Sequence, residues 1–228
     1  MKKAKHRLSS FLGMPIDSAT VFKPVYFLFI NADGKDAGNA IFIDFNLIYK
    51  MNEEERVNFL AHEFFHNLRE KYENHGFNYT CDMNYTLDMI QNEGVADMID
   101  KAGGYEKYYS ETMELPELAE IMVALYGQAP EDLGKLQNVI VKYSKDEITE
   151  KEMVDTIIEL VKINGHPIGF FMANQITKAG YKNEMIETFY NPYKFYSLYN
   201  KAAKEQGGFR LSDEFMDYLK EITKGYYH

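Results

Sequence analysis

The chain has 228 residues, of which 46% are hydrophobic, and this is enough for a buried core in one large domain or two small ones. Its net charge of −10 argues against nucleic acid or an anionic membrane as the main partner, because both repel an acidic protein. The single cysteine, Cys81, excludes an internal disulfide bond and a zinc site built from several thiolates.

The N-terminal segment lacks the composition of a signal peptide or a membrane anchor. It is basic between Lys2 and Arg7, but no apolar core follows it. No apolar run in the chain reaches the ~18 residues that a membrane-spanning helix needs. We therefore expect no membrane span, a cytoplasmic location by default, and a secreted one if a signal segment has been removed.

Two apolar segments in the first fifth of the chain predict a β-hairpin. Residues 22–31 are rich in aromatic side chains, which is typical of a strand. Residues 39–45 alternate in polarity, and two glycines lie in the segment between. The second strand, residues 39–45, could bind an extended peptide at an open edge by strand addition. A small sheet that only covers a helical core is the alternative.

A strong amphipathic helix is predicted to follow. Asn52 is a suitable N-cap, three glutamates come next at the positive end of the helix dipole, and Glu55 has the capping-box position. Apolar residues then recur at helical spacing, namely Val57, Leu60, Ala61, Phe64 and Leu68. We expect this helix to run to about Tyr72 and to bury that face.

The rest of the chain is predicted to be helical almost throughout. A second helix is expected from about Asn84 to Lys101, ended by Gly103 and Gly104. Further helices are expected to begin near Pro116, Pro130, Asp146, His166, Asn191 and Ser212. The expected fold class is therefore α+β and predominantly helical, with a β-hairpin or small sheet before the first strong helix.

The segment from His62 to His66 carries a chemical signature inside the first strong helix. Its two imidazoles are one turn apart on the same face, and Glu63 lies on the flank between them. Two neutral imidazoles so placed can bind one zinc ion, and Glu63 is then beside the metal-bound water. This HExxH pattern predicts a zinc hydrolase with His62 and His66 as ligands and Glu63 as general base.

A catalytic zinc ion usually has a third protein ligand besides two histidines. No third histidine follows His66 at a short distance, whereas Glu93 lies on the next predicted helix. If that helix returns antiparallel to the first, it brings Glu93 level with the two histidines. Asp97, one turn further, could accept the outer N–H of a ligand histidine and fix its tautomer.

These two motifs together resemble the gluzincin pattern, of which thermolysin is the best-known member. The matching residues are His62-Glu63-x-x-His66 followed by Asn92-Glu93-x-x-x-Asp97. The segment HPIGFFMA from His166 also resembles small bacterial families of zinc-dependent peptidases of unknown function. The chain is far shorter than thermolysin and has no readable counterpart of its substrate-binding tyrosine and histidine.

The resemblance implies a zinc metallopeptidase with one zinc ion per chain and a peptide or protein substrate. It implies a single zincin-like catalytic domain over residues 1–228. Residues 1–105 would hold the hairpin and the ligand helices, and residues 106–228 would form a helical half that closes the cleft.

Peptide hydrolysis also needs a donor to the developing oxyanion. His166 is the candidate that the sequence favours, because it would stand at the positive end of a helix. A helix cap or a packed ring is the alternative role for His166. A tyrosine could serve instead, and four recur at a spacing that is more typical of a core or a cleft wall: Tyr190, Tyr193, Tyr196 and Tyr199.

Two other functions stay open from the sequence alone. The chain could be a non-catalytic helical protein that binds zinc for its structure, or one that binds a partner through its tyrosine-rich face. A structural zinc site, however, has no need of Glu63 beside the metal water and favours a fourth protein ligand. A zinc hydrolase that cleaves a non-peptide amide has the same sequence signature as a peptidase.

Overall fold

The computed structural model describes residues 1–16, 20–29, 34–72, 82–113 and 116–224. Within them the fold is α+β and predominantly helical, as the sequence predicts. The described strands are β1 (Val25–Leu28), β2 (Gly34–Ala37) and β3 (Ala40–Asp44). The described α-helices are α1 (Lys2–Leu12), α2 (Phe45–Lys50), α3 (Glu53–Arg69), α4 (Asp82–Asp100), α5 (Tyr105–Thr112), α6 (Pro116–Ser144), α7 (Glu150–Leu160), α8 (His166–Lys178), α9 (Lys182–Glu187), α10 (Pro192–Gln206) and α11 (Asp213–Ile222). A 3-10 turn, Ile163–Gly165, precedes α8.

Among the helices that the structure describes, none combines the length and the apolar character required to cross a membrane. Cys81 and the loop expected around residues 74–76 lie outside the described residues.

The three strands form a sheet in the order β1-β3-β2, with β1 parallel to β3 and β2 antiparallel to it. The predicted hairpin between residues 22–31 and 39–45 is therefore wrong, because β2 and β3 form the hairpin instead. β3 is also the central strand, so the predicted open edge at residues 39–45 does not exist. The segment Gly34–Ala37 has the composition of a turn, and only its pairing with β3 makes it a strand.

The strand β3 ends one residue earlier than its alternating pattern suggests. Ile41 and Ile43 are fully buried, as expected for one face of the strand. Phe45 was expected to continue that face but begins α2 instead, because the side chain of Asp44 accepts a hydrogen bond from the N–H of Asn46 at 2.7 Å. An N-cap of this kind stabilises a helix start by about 1 kcal/mol.

The helix α3 begins as its sequence predicts. The side chain of Asn52 accepts a hydrogen bond from the N–H of Glu55 at 3.0 Å, and the side chain of Glu55 accepts one from the N–H of Asn52 at 2.7 Å. Phe64 and Phe65 are fully buried, and α1 packs against this helix. The helix that carries the HExxH motif is thus held by its cap and by its apolar face.

The helix α6 replaces two predicted helices. Pro130 lies inside it, where a proline costs about 3 kcal/mol through a lost backbone hydrogen bond and a clash with the preceding turn. Fully buried residues flank the proline at helical spacing, namely Ala129, Leu133, Leu136 and Ile140. Burial contributes roughly 1.5–3 kcal/mol for each large apolar side chain, so it outweighs the proline, and the predicted helix start at Pro130 is wrong.

The chain divides into two compact units. Unit 1 consists of Met1–Glu73 and Ala96–Ile121, and it contains the sheet and α3. Unit 2 consists of Asn74–Val95 and Met122–His228, and its described part contains α8 and α10. Helix α4 contributes residues to both units. The division of one catalytic domain at residue 105 stays a prediction.

Candidate metal centre

The imidazoles of His62 and His66 converge within unit 1. Their Nε2 atoms lie 2.9 Å apart, and the two rings meet edge to face at 77°. Two nitrogens bound to one tetrahedral zinc ion at about 2.0–2.1 Å would be about 3.3 Å apart, so small ring rotations bring the pair to that geometry. His62 is buried and His66 is half-buried, which suits a ligand pair at the wall of a site.

The outer nitrogen of His62 faces a carboxylate. His62 Nδ1 lies 3.1 Å from Asp100 Oδ1 and 3.7 Å from Asp97 Oδ1. Because an ionised carboxylate only accepts hydrogen bonds, Nδ1 carries the hydrogen and Nε2 presents its lone pair toward His66. The sequence pattern predicts Asp97 at this nitrogen, but Asp100 is the nearer carboxylate. The spacing of three residues between them was the available signal, because it places both on one side of a helix.

Lys101 balances the charge of these buried carboxylates. Its Nζ lies 2.7 Å from Asp97 Oδ1 and 2.9 Å from Asp100 Oδ2, and its side chain is 5% exposed. Burial by itself lowers the pKa of Lys101, but the charges of Asp100 and Asp97 outweigh it and hold that pKa well above its ordinary value. Burial likewise acts to raise the pKa of Asp100, and the charges of Lys101 and His62 bring it below its ordinary value.

The set of His62, Asp97 and Asp100 has the composition of a second metal site. The ammonium of Lys101, however, stands where a cation would contact both carboxylates. The contacts of this set therefore orient the ring of His62, and Lys101 takes the place of a second cation.

Three tyrosines of α5 lie close to this ion pair. Lys101 Nζ is 4.6 Å from the centroid of the Tyr108 ring. Burial raises the pKa of Tyr105, Tyr108 and Tyr109 well above the ordinary tyrosine value, so all three hydroxyls stay neutral. The Tyr108 ring lies over the ammonium, and a buried environment of this kind strengthens the attraction between Lys101 and the carboxylates.

Glu63 is part of α3, and its side chain lies against the edge strand β2. The residue is 3% exposed. A Cβ added to Gly34 would be 2.4 Å from Glu63 Oε1 and 2.8 Å from Phe59 Cζ. The strand can pass the carboxylate at this distance only because residue 34 has no side chain. Gly34 lies in the segment that the sequence predicts to connect two strands, and nothing local in the sequence brings it to residue 63.

Glu93 and His166 meet within unit 2. His166 Nε2 lies 3.3 Å from Glu93 Oε2, and the two side chains are 18% and 15% exposed. His166 begins α8, as predicted. Glu93 lies on α4 one turn before Asp97, so the two carboxylates share one face of that helix. The roles of Glu93 as a ligand and of His166 as an oxyanion donor stay predictions.

Two of the four regularly spaced tyrosines belong to the core of unit 2. Tyr196 and Tyr199 are fully buried, and their hydroxyls donate to the carbonyl oxygens of Leu87 and Phe209 at 3.3 and 2.7 Å. Burial raises the pKa of both. Their environment is that of packed core residues with satisfied hydroxyls.

A family model described as "Putative zinc dependent peptidase (DUF5700)" matches residues 1–208 of the chain. No curated protein and no solved structure matches it. The matched range contains every residue predicted for the site, namely His62, Glu63, His66, Glu93, Asp97 and His166.

Proposed function

This chain belongs to the DUF5700 family, and from that membership and the geometry of its histidines we propose that it hydrolyses peptide bonds at one zinc ion. The observation that carries the proposal is the approach of His62 Nε2 and His66 Nε2 to 2.9 Å, with the outer nitrogen of His62 facing Asp100. Both ring nitrogens that would bind the metal are thereby directed at one point.

Glu93 is the third ligand in this proposal. It lies one turn before Asp97 on the continuous helix α4, and Asp97 lies 3.7 Å from His62. Glu93 and Asp97 are four apart on this helix, as in the Glu-x-x-x-Asp pattern whose glutamate is the third ligand in gluzincins. Two histidines, one carboxylate and a water make a usual ligand set for catalytic zinc, and this set is the gluzincin one.

The chain's own residues supply the proton transfers. A zinc ion held here would polarise the scissile carbonyl and lower the pKa of its water to about 7. Glu63 follows His62 on α3, so its carboxylate takes the proton of the attacking water and delivers it to the leaving amine nitrogen. The backbone of β2 at Gly34 restricts the positions that this carboxylate can adopt.

The strand β2, and not β3, offers an edge for an extended substrate. It is an outer strand of the sheet, and it passes Glu63 at Gly34. Hydrogen bonds to a strand edge involve only the main chain of the bound peptide, so they hold many sequences in the same direction. The resulting expectation is a peptidase with broad rather than narrow sequence preference at the residues that contact β2.

Replacing Gly34 with alanine tests the close approach of β2 to the general base. The new methyl group would lie 2.4 Å from Glu63 Oε1, and the carboxylate must move because it is the more flexible partner. A displacement of about 1 Å in a catalytic group costs up to ~10²-fold, so we expect kcat/KM for peptide hydrolysis to fall by ~10- to 100-fold. Gly127→Ala, where nothing lies within 4 Å of the added Cβ, should keep full activity. Equal activity of the two variants would contradict the assignment.

Zinc content and hydrolysis measured on one preparation test the proposed function. We expect about one zinc ion per chain by elemental analysis and cleavage of a fluorogenic peptide library. Chelation should abolish cleavage, and added zinc should restore it. Stoichiometric zinc without cleavage of any peptide would favour the non-catalytic zinc-binding protein. The absence of zinc binding would reject both functions.

A further inference from the structure

Helices α4 and α8 cross at a contact that only glycine permits. A Cβ on Gly94 would lie 2.3 Å from the carbonyl oxygen of Gly169, and a Cβ on Gly169 would lie 2.2 Å from that of Ile90. At the N-cap of α8, a Cβ on Gly165 would lie 2.9 Å from Ile90 Cγ1. Ile90 and Gly94 of α4 thus face Gly165 and Gly169, which are the N-cap and an early residue of α8, and the two backbones touch there.

The turn that precedes α8 is held in an unusual conformation. Ile163, Asn164 and Gly165 have φ angles of 49°, 52° and 82°. The left-handed region is costly for a β-branched residue such as Ile163 and persists only where the surrounding structure requires it. His166 follows directly, so this turn and the glycine contact together determine where its ring lies.

The glycine crossing brings His166 to Glu93. Each is the direct chain neighbour of a crossing glycine, because His166 follows Gly165 and Glu93 precedes Gly94. His166 Nε2 lies 3.3 Å from Glu93 Oε2. This ring nitrogen therefore has a carboxylate of the chain itself as its near neighbour.

We propose that His166 is a positioning residue, whose imidazole contacts Glu93 and holds its carboxylate in the orientation that binds the metal. This role rests on the function proposed above, in which Glu93 is the third ligand. Partners of metal ligands act in this way because they limit the rotamers of the ligand before the metal arrives. The crossing of Gly94 and Gly169 is then the device that sets the distance between the two side chains.

A double-mutant cycle on the zinc dissociation constant tests this role. His166→Ala should weaken zinc binding by ~10- to 100-fold, the usual loss when the partner of a ligand is removed. In a Glu93→Ala background, the same substitution should change the constant by less than ~2-fold, because its partner is already gone. His166→Gln should retain most of the affinity, since its polar amide group can contact the same carboxylate. Competition with a chelator gives the constants, and circular dichroism checks the helix content of each variant.

The outcomes of this cycle separate the alternatives. Equal losses in both backgrounds would overturn the proposal and indicate a general structural role for His166. Unchanged zinc affinity with a lower kcat in His166→Ala would overturn it in favour of an oxyanion donor. A wild-type protein that binds no zinc would reject this role together with the proposed function. A wild-type protein that binds zinc and hydrolyses peptides, but shows no coupling between His166→Ala and Glu93→Ala, would reject this role alone.

Gly169→Ala tests the crossing itself. Its methyl group would have to separate α4 from α8, so we expect weaker zinc binding than in the matched control Gly127→Ala, where the added Cβ has open space. Equal zinc affinity in these two variants would contradict a positioning role for the crossing.

Discussion

Glu63→Gln is expected to lower kcat/KM for peptide hydrolysis by about 10²- to 10⁴-fold, the usual contribution of a general base. Glutamine has nearly the same shape as glutamate, but its amide does not accept the proton of the attacking water. Zinc binding should stay at about one ion per chain, because Glu63 is not among the proposed ligands. Steady-state kinetics and elemental analysis of the same preparation measure both quantities.

The matched control for this variant is Glu54→Gln, which changes an exposed glutamate on the same helix. It should leave both quantities at the wild-type level. If Glu63→Gln keeps more than ~10% of the activity, Glu63 is not the general base. If Glu63→Gln binds no zinc, Glu63 is a metal ligand, and the proposed ligand set of His62, His66 and Glu93 has to change.

Lys101→Met is expected to lower the free energy of unfolding by about 3–5 kcal/mol, the typical cost of removing one partner of a buried ion pair. The substitution keeps the apolar length of the side chain but removes the ammonium. Asp97 and Asp100, whose side chains are 0% and 1% exposed, then lose the cation nearest to them. Urea unfolding in the presence of a chelator measures the effect without a contribution from bound metal.

The control for Lys101→Met is Lys107→Met, at an exposed position on the neighbouring helix α5. A surface substitution of this kind should change the free energy of unfolding by less than ~0.5 kcal/mol. A loss below ~1 kcal/mol in Lys101→Met would mean that the two carboxylates do not depend on the ammonium. In that case the ammonium of Lys101 would no longer exclude a second metal ion at His62, Asp97 and Asp100.

Local features of the chain were predictable because local forces determine them. The capping box between Asn52 and Glu55 joins residues three apart, and the HExxH spacing needs only one turn of helix. The start of α8 at His166 follows a glycine and precedes a proline, which is also a local signal. For these elements, the interactions that decide the structure lie within a few residues of one another.

Non-local features were missed where two distant segments decide the outcome together. The parallel pairing of β1 with β3 was missed because β1 has no buried face, so its side-chain pattern specifies the register only weakly. Gly34 has the composition of a turn until the pairing with β3 makes it a strand beside Glu63. Pro130 indicates a helix start by local rules, but a continuous buried face carries α6 through it.

The sequence by itself determined which chemical groups this protein offers. They are the imidazoles of His62 and His66 with the carboxylate of Glu63 on one capped helix, and the carboxylates of Glu93 and Asp97 on the next. Only the tertiary structure decided which carboxylate faces the outer nitrogen of His62 and which cation balances it. The physical reason is how far apart in the sequence the interacting residues lie. Hydrogen bonds within a helix join residues three or four apart, whereas the 3.1 Å contact between His62 and Asp100 exists only because two helices pack together.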